Sequence, residues 1–141
     1  MAVVVQKMIN SEKSGVCFTV DPVMRNYYQM VIEGVWGLGE GIVSGTITPD
    51  HYKVDRETGE VMVEFIPDKK IMYCRSGEQG IKIEQVPAER VSARILSNGQ
   101  LQQLVDLGRR IEEHFGSPQE IEWGTEGNEL YLLQSRPITN L

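Results

Sequence analysis

The chain has 141 residues, enough for one domain with a buried core, and carries 14 Lys and Arg against 20 Asp and Glu for a formal net charge of −6. That acidic balance argues against nonspecific binding to nucleic acid or to an anionic membrane surface. The start, Met1 to Lys7, is too short and too quickly polar for a signal peptide, and no run approaches the roughly 18 apolar residues of a membrane span, so a cytoplasmic location is expected.

Residues 2–9 read as a β-branched strand, followed by a polar loop through Ser14. Gly15 to Val20 is a second strand, stopped by Asp21-Pro22, and Gln29 to Trp36 a third. Gly37-Leu38-Gly39-Glu40-Gly41 then breaks the pattern and opens a short helical turn over Ile42-Val43. Asp50 to Asp55 and Glu60 to Ile66 flank Glu57-Thr58-Gly59 as a hairpin, and Lys70 to Cys74 and Ile81 to Val86 are further strands. A helix is predicted from about Ser97 to Phe115, with Leu101, Leu104, Val105, Ile111 and Phe115 as its apolar stripe and Gly116 as its stop. A terminal hairpin follows. The predicted class is α+β, a mainly antiparallel sheet with one long helix packed on it.

Cys17 and Cys74 lack a CxxC partner, which argues against zinc and favours reduced thiols, with a disulfide between them left open. His114 falls near the helix C-terminus and His51 follows Pro49-Asp50 at a turn; neither is arranged as part of a nucleophilic triad. Gly37-Leu38-Gly39 lacks the third glycine of a dinucleotide fingerprint, because Ile42 stands there, so a tight turn with positive φ is the competing explanation. Glu33 and Glu40, beside so many apolar residues, are either solvated or face a cation or a basic partner.

The terminal hairpin carries the most chemistry. Alternation puts Gln134 and Arg136 on one strand face, and Glu122 joins them if it lies opposite or diagonal to Gln134, which requires an odd-length loop. A carboxylate beside an amide oxygen suits a hard cation such as Mg²⁺, and a neighbouring guanidinium suits phosphate oxygens. A solvated hairpin face is the alternative. Trp123, Tyr131 and Leu133 are expected on the core face.

In order, Val4-Val5-Gln6-Lys7-Met8-Ile9, Ser14 to Pro22, Trp36-Gly37-Leu38-Gly39-Glu40, Val43-Ser44-Gly45, Pro49-Asp50, Phe115-Gly116, Ile121-Glu122-Trp123 and Leu133-Gln134-Ser135-Arg136-Pro137-Ile138-Thr139 form a set of segments. Together they resemble the nucleotide-binding domain of phosphoenolpyruvate synthases, pyruvate phosphate dikinases and rifampin phosphotransferases. The resemblance spans nearly the whole chain and implies the second subdomain of an ATP-grasp fold, a single partial domain over residues 1–141. It implies ATP and Mg²⁺ as cofactors, with Glu122 and Gln134 at the metal positions and Arg136 at the catalytic, triphosphate-contacting position. Gln6, Lys7 and Met8 would form the hinge at the adenine, and Gly37, Gly39 and Glu40 would line the same cleft. Glu120 stands where many relatives have Asp, which keeps the charge.

The family's first subdomain, its mobile phosphohistidine domain and its pyruvate-binding domain have no counterpart in these residues. They are expected in the same polypeptide or a partner subunit, where the complete enzyme phosphorylates a histidine and then pyruvate. The chain by itself is therefore expected to bind ATP weakly or undetectably and to be inactive. The rival reading is a stand-alone, non-catalytic binding or regulatory module, whose orphaned sheet edge invites a homo-oligomer.

Overall fold

The computed structural model describes residues 9–139 and 141. Its strands are β1 (Lys13–Phe18), β2 (Gln29–Trp36), β3 (Asp50–Asp55), β4 (Val61–Phe65), β5 (Ile71–Ser76), β6 (Gly80–Gln85), β7 (Gln119–Glu126) and β8 (Glu129–Pro137). The helices are α1 (Glu40–Val43), a 3₁₀ turn over Ala88–Arg90, and α2 (Asn98–Phe115). Six strands form one antiparallel sheet in the order β4-β3-β2-β1-β7-β8, and β5-β6 is a separate two-stranded ribbon. The predicted α+β class, with one long helix on a mainly antiparallel sheet, is the observed one. The strand expected over residues 2–9 lies, apart from Ile9, outside the described residues.

One face of the sheet is the core. Cys17 lies opposite Ile32 and Ile121, Ile32 lies opposite Tyr52, and all four are fully buried. Burying side chains of this size stabilises the fold by about 1.5–3 kcal/mol each. Helix α2 covers this face with Leu101, Leu104, Val105 and Gly108. A methyl at Gly108 would stand 3.1 Å from Met30 Sδ and 3.3 Å from Thr19 Cγ2, so the helix backbone rests directly on the ends of β1 and β2. Ser97 and Gln100 form a capping box at its start, and Gly116, at φ 73°, closes it. Phe115 does not join the expected stripe: it is 57% exposed and meets His114 edge-on instead.

Trp123 organises the centre of the core. Gly15 pairs with both Gly34 and Trp123, and the indole fills the space their missing side chains leave. A Cβ at Gly15 would lie 2.7 Å from Trp123 Cζ2 and 1.8 Å from the Glu33 carbonyl oxygen. Trp123 is thus on the core face as expected, but Tyr131 is not; it is 39% exposed.

A charged pair is also buried. The Lys69 ammonium donates to Asp50 and, at 2.7 Å, to the Pro67 carbonyl, and both charged side chains have no exposed surface. Asp50 Oδ2 also accepts from Tyr52 Oη at 2.7 Å and from Ile95 N at 2.8 Å. This network ties β3 to the segment leading into α2.

Candidate functional site

The sheet face turned away from α2 carries the chemistry. Along it, β3, β2, β1, β7 and β8 contribute His51, Glu33, Val16, Glu122 and Gln134 as successive cross-strand partners. The next line across is Lys53, Val31, Phe18, Glu120 and Arg136. Two polar stations therefore flank an apolar strip of Val16, Phe18 and Val31.

On the β7-β8 side, Glu122 stands directly opposite Gln134, and Arg136 stands opposite Glu120. Arg136 donates to both Glu120 oxygens, Nε to Oε2 at 2.9 Å and Nη2 to Oε1 at 3.1 Å. Glu120, and secondarily the nearby Glu122, push the Arg136 guanidinium above the usual arginine range. Gln134 and Arg136 are exposed, whereas Glu120 and Glu122 are half-buried.

The expected parity is reached by a different route. Glu126 pairs with Glu129, so the loop is only Gly127-Asn128, an even-length turn. Both residues have positive φ, 58° and 69°, the tight hairpin geometry that matches strand twist. Glu122 faces Gln134 because Trp123 faces Leu132, leaving Leu133 as an extra residue in β8. A β-bulge, not an odd loop, turns Gln134 and Arg136 onto the face of Glu122. Leu133 lies on that face too, its Cδ1 3.4 Å from where a Cβ on Gly124 would be, rather than on the core face.

The glycine segment borders the same face. Gly37 takes φ 78°, and a Cβ there would meet the Tyr73 carbonyl oxygen at 2.3 Å, so it serves both a tight turn and the docking of the ribbon. Gly39 passes 3.7 Å, measured from its would-be Cβ, from Ser14 Oγ, two residues before Val16 on β1. Glu40 opens α1 and is half-buried. Gln6, Lys7 and Met8 lie outside the described residues.

At the β2-β3 station Glu33, expected to be solvated or to face a cation or a basic partner, faces His51, a pairing not singled out from sequence. His51 sits inside β3, not in a turn, and its Nδ1 is 3.1 Å from Glu33 Oε2. Beside it Lys53 pairs with Asp21 at 3.1 Å. Strand parity was the available signal, since Glu33 and His51 occupy facing positions on neighbouring strands.

Chemically, Glu122 and Gln134 offer a carboxylate and an amide oxygen at facing cross-strand positions. Among the described residues no group of three or more His, Cys, Asp and Glu could hold a metal. Two protein donors suit Mg²⁺, which keeps waters and takes its remaining oxygens from phosphates. Arg136 adds a planar guanidinium for phosphate oxygens beside that position.

None of the described helices is long and apolar enough to cross a membrane. The chain is 43% identical over its full length to a probable phosphoenolpyruvate synthase of Methanocaldococcus jannaschii, of which it covers 12%. It is 48% identical to a probable phosphoenolpyruvate synthase of Archaeoglobus fulgidus, covering 18% of it, and 38% identical to rifampicin phosphotransferase of Bacillus subtilis, covering 16%. The chain thus spans less than a fifth of the length of each of these relatives. The family model described as the pyruvate phosphate dikinase AMP/ATP-binding domain matches residues 1–141, and the chain belongs to that family.

Proposed function

We propose that this chain supplies the metal- and triphosphate-binding half of an ATP site in a longer phosphotransferase of the phosphoenolpyruvate synthase type. The observation that carries the reading is the placement of Glu122 opposite Gln134, with Arg136 on the same face of the hairpin. Glu122 and Gln134 would hold Mg²⁺, and Arg136 would take the triphosphate once it exchanges Glu120 for phosphate. Gly37, Gly39 and Glu40 would border the nucleotide, and Gln6, Lys7 and Met8 would meet its base. Bound Mg²⁺ supplies charge neutralisation to the phosphates.

The remaining parts of the enzyme fall to the rest of a longer polypeptide or to a partner subunit. These are the first ATP-grasp subdomain, the phosphohistidine carrier and the pyruvate-binding domain. The relatives' greater length supports this reading over a stand-alone binding module. The isolated chain should bind Mg·ATP weakly, because half of the phosphate clamp is missing. Joining it to the upstream half should tighten binding, and Glu122→Ala and Arg136→Ala should each weaken it roughly tenfold or more. Undiminished binding by both variants in a calorimetric titration would sink this assignment of roles.

A further inference from the structure

A second cleft, of about 770 Å³, opens where β1 begins and β2 ends, between that corner of the sheet and the β5-β6 ribbon. Its size falls within the roughly 300–1,000 Å³ typical of small-molecule sites. Glu122, Gln134 and Arg136 are not among its lining residues, although Gly37 of the glycine segment is. Lys13 precedes Val16, the neighbour of Glu122, by three positions on β1, so its side chain points to the opposite face of the sheet.

Several basic side chains gather around this cleft. Of the basic residues described, Lys53, Arg56, Lys69, Lys82, Arg94, Arg109 and Arg136 all form ion pairs with carboxylates. Lys13, Arg25, Lys70, Arg75, Arg90 and Arg110 form none among the described residues, and Lys13, Arg75 and Arg90 line this one cleft.

Trp36 holds two of them in place. Lys13 Nζ lies 5.7 Å and Arg90 Cζ 5.3 Å from the centroid of its ring, and its indole N–H donates to the Arg90 carbonyl oxygen at 3.1 Å. Lys13 also donates to Gln100 Oε1 at 3.2 Å, which anchors it to the start of α2. Burial holds the Lys13 ammonium below the usual lysine range; Glu12 opposes that shift and the like charge of Arg90 adds to it. Four basic side chains, Lys13, Arg75, Lys82 and Arg90, line the cleft against two carboxylates, Glu12 and Glu84, so the corner keeps a net positive charge.

We propose that this cleft is an anion site for a phosphate-bearing small molecule, separate from the site built on Glu122, Gln134 and Arg136. Two guanidinia and a half-buried ammonium around a concave wall are suited to the oxygens of phosphate. The inference stands on its own observations and does not need the nucleotide reading.

The test is a titration of the chain with inorganic phosphate at constant ionic strength, following the indole N–H resonances of its two tryptophans by NMR. Trp36 should move and saturate, while Trp123, fully buried in the core, stays as a control for the fold. Arg75→Ala combined with Arg90→Ala should weaken the response roughly tenfold. The response should persist in Glu122→Ala and Arg136→Ala. A second titration, with Mg·ATP in Glu122→Ala, separates the sources. Movement of Trp36 there assigns the site to a nucleotide phosphate, and movement with inorganic phosphate only assigns it to the free ion. No movement of Trp36 with either probe, equal movement with chloride, or an unchanged response in the Arg75/Arg90 variant would overturn the proposal. Loss of the response in Glu122→Ala would merge the cleft with the nucleotide site and overturn it as a separate one.

Discussion

Arg136 donates twice to the Glu120 carboxylate, with Nε and Nη2 at 2.9 and 3.1 Å from its two oxygens, across the last pairs of the β7-β8 ladder. Any phosphate reaching Arg136 must compete with that carboxylate. Glu120→Gln should therefore tighten the binding of metal-free ATP a few-fold, by removing a negative charge beside an incoming anion. Arg136→Ala should do the reverse. Both are read by titrating the chain joined to the first ATP-grasp subdomain proposed above. A loss in Glu120→Gln as large as that in Arg136→Ala would instead make Glu120 the residue that orients the guanidinium.

The buried pair of Lys69 and Asp50 predicts an asymmetric mutational response. Lys69→Met leaves the Asp50 carboxylate buried without its cation and should cost about 3–5 kcal/mol. Replacing both residues with apolar ones of similar volume should recover much of that loss. Urea denaturation of the two variants measures the difference.

Asp21 predicts an acid limb in stability. Burial by itself would raise its pKa, but amide donation from Met24 and Val23 and the Lys53 ammonium outweigh it and hold the carboxyl below the usual range. A group depressed in the folded state contributes stability above the unfolded pKa, about 3.9, and loses it as pH falls through the folded value. Thermal melts between pH 5 and 2 (a range of about three units around that value) should show stability falling with acid, and less steeply in Asp21→Asn.

The two thiols should behave differently. Cys17 is fully buried, and burial pushes it up to about 12, whereas Cys74 is half-buried on the ribbon and raised by burial and by Glu84. A thiol reagent at neutral pH should label Cys74 in the folded chain and Cys17 only as the fold opens. Between the unfolded thiol's pKa of about 8.5 and the folded value the native state keeps a proton that the unfolded chain releases, so stability should decline with rising pH across that window.

Local patterns were the readily legible part of this fold. β2 occupies the residues its β-branched and apolar run predicts, β3 those its hairpin signal predicts, and α2 starts at the Ser97 cap and stops at Gly116 as its end signals indicate. What stayed hidden depends on partners distant along the chain. The Lys69–Asp50 pair joins residues 19 positions apart, and adjacent Lys69 and Lys70 look alike until one is buried. The seat of Trp123 on Gly15 and Gly34 needs the pairing of three strands. Glu122, Gln134 and Arg136 were legible as a group, but the means of aligning them was not, because a bulge has no sign in the alternation of Leu130 to Leu133.

The extra residue at Leu133 has a consequence for how this hairpin can change. It separates the distal half of β7-β8, which runs to the Gly127-Asn128 turn, from the half that presents the polar side chains. Paired shortening of the tip, or exchange of one two-residue turn for another, leaves the phase of Glu122 and Gln134 untouched. Deleting Leu133 straightens β8 and still leaves those two side chains opposed. Removing one residue nearer the tip instead puts the turn and the bulge in conflict over which face Gln134 and Arg136 occupy. The tip is free to vary in length, provided that it does so two residues at a time.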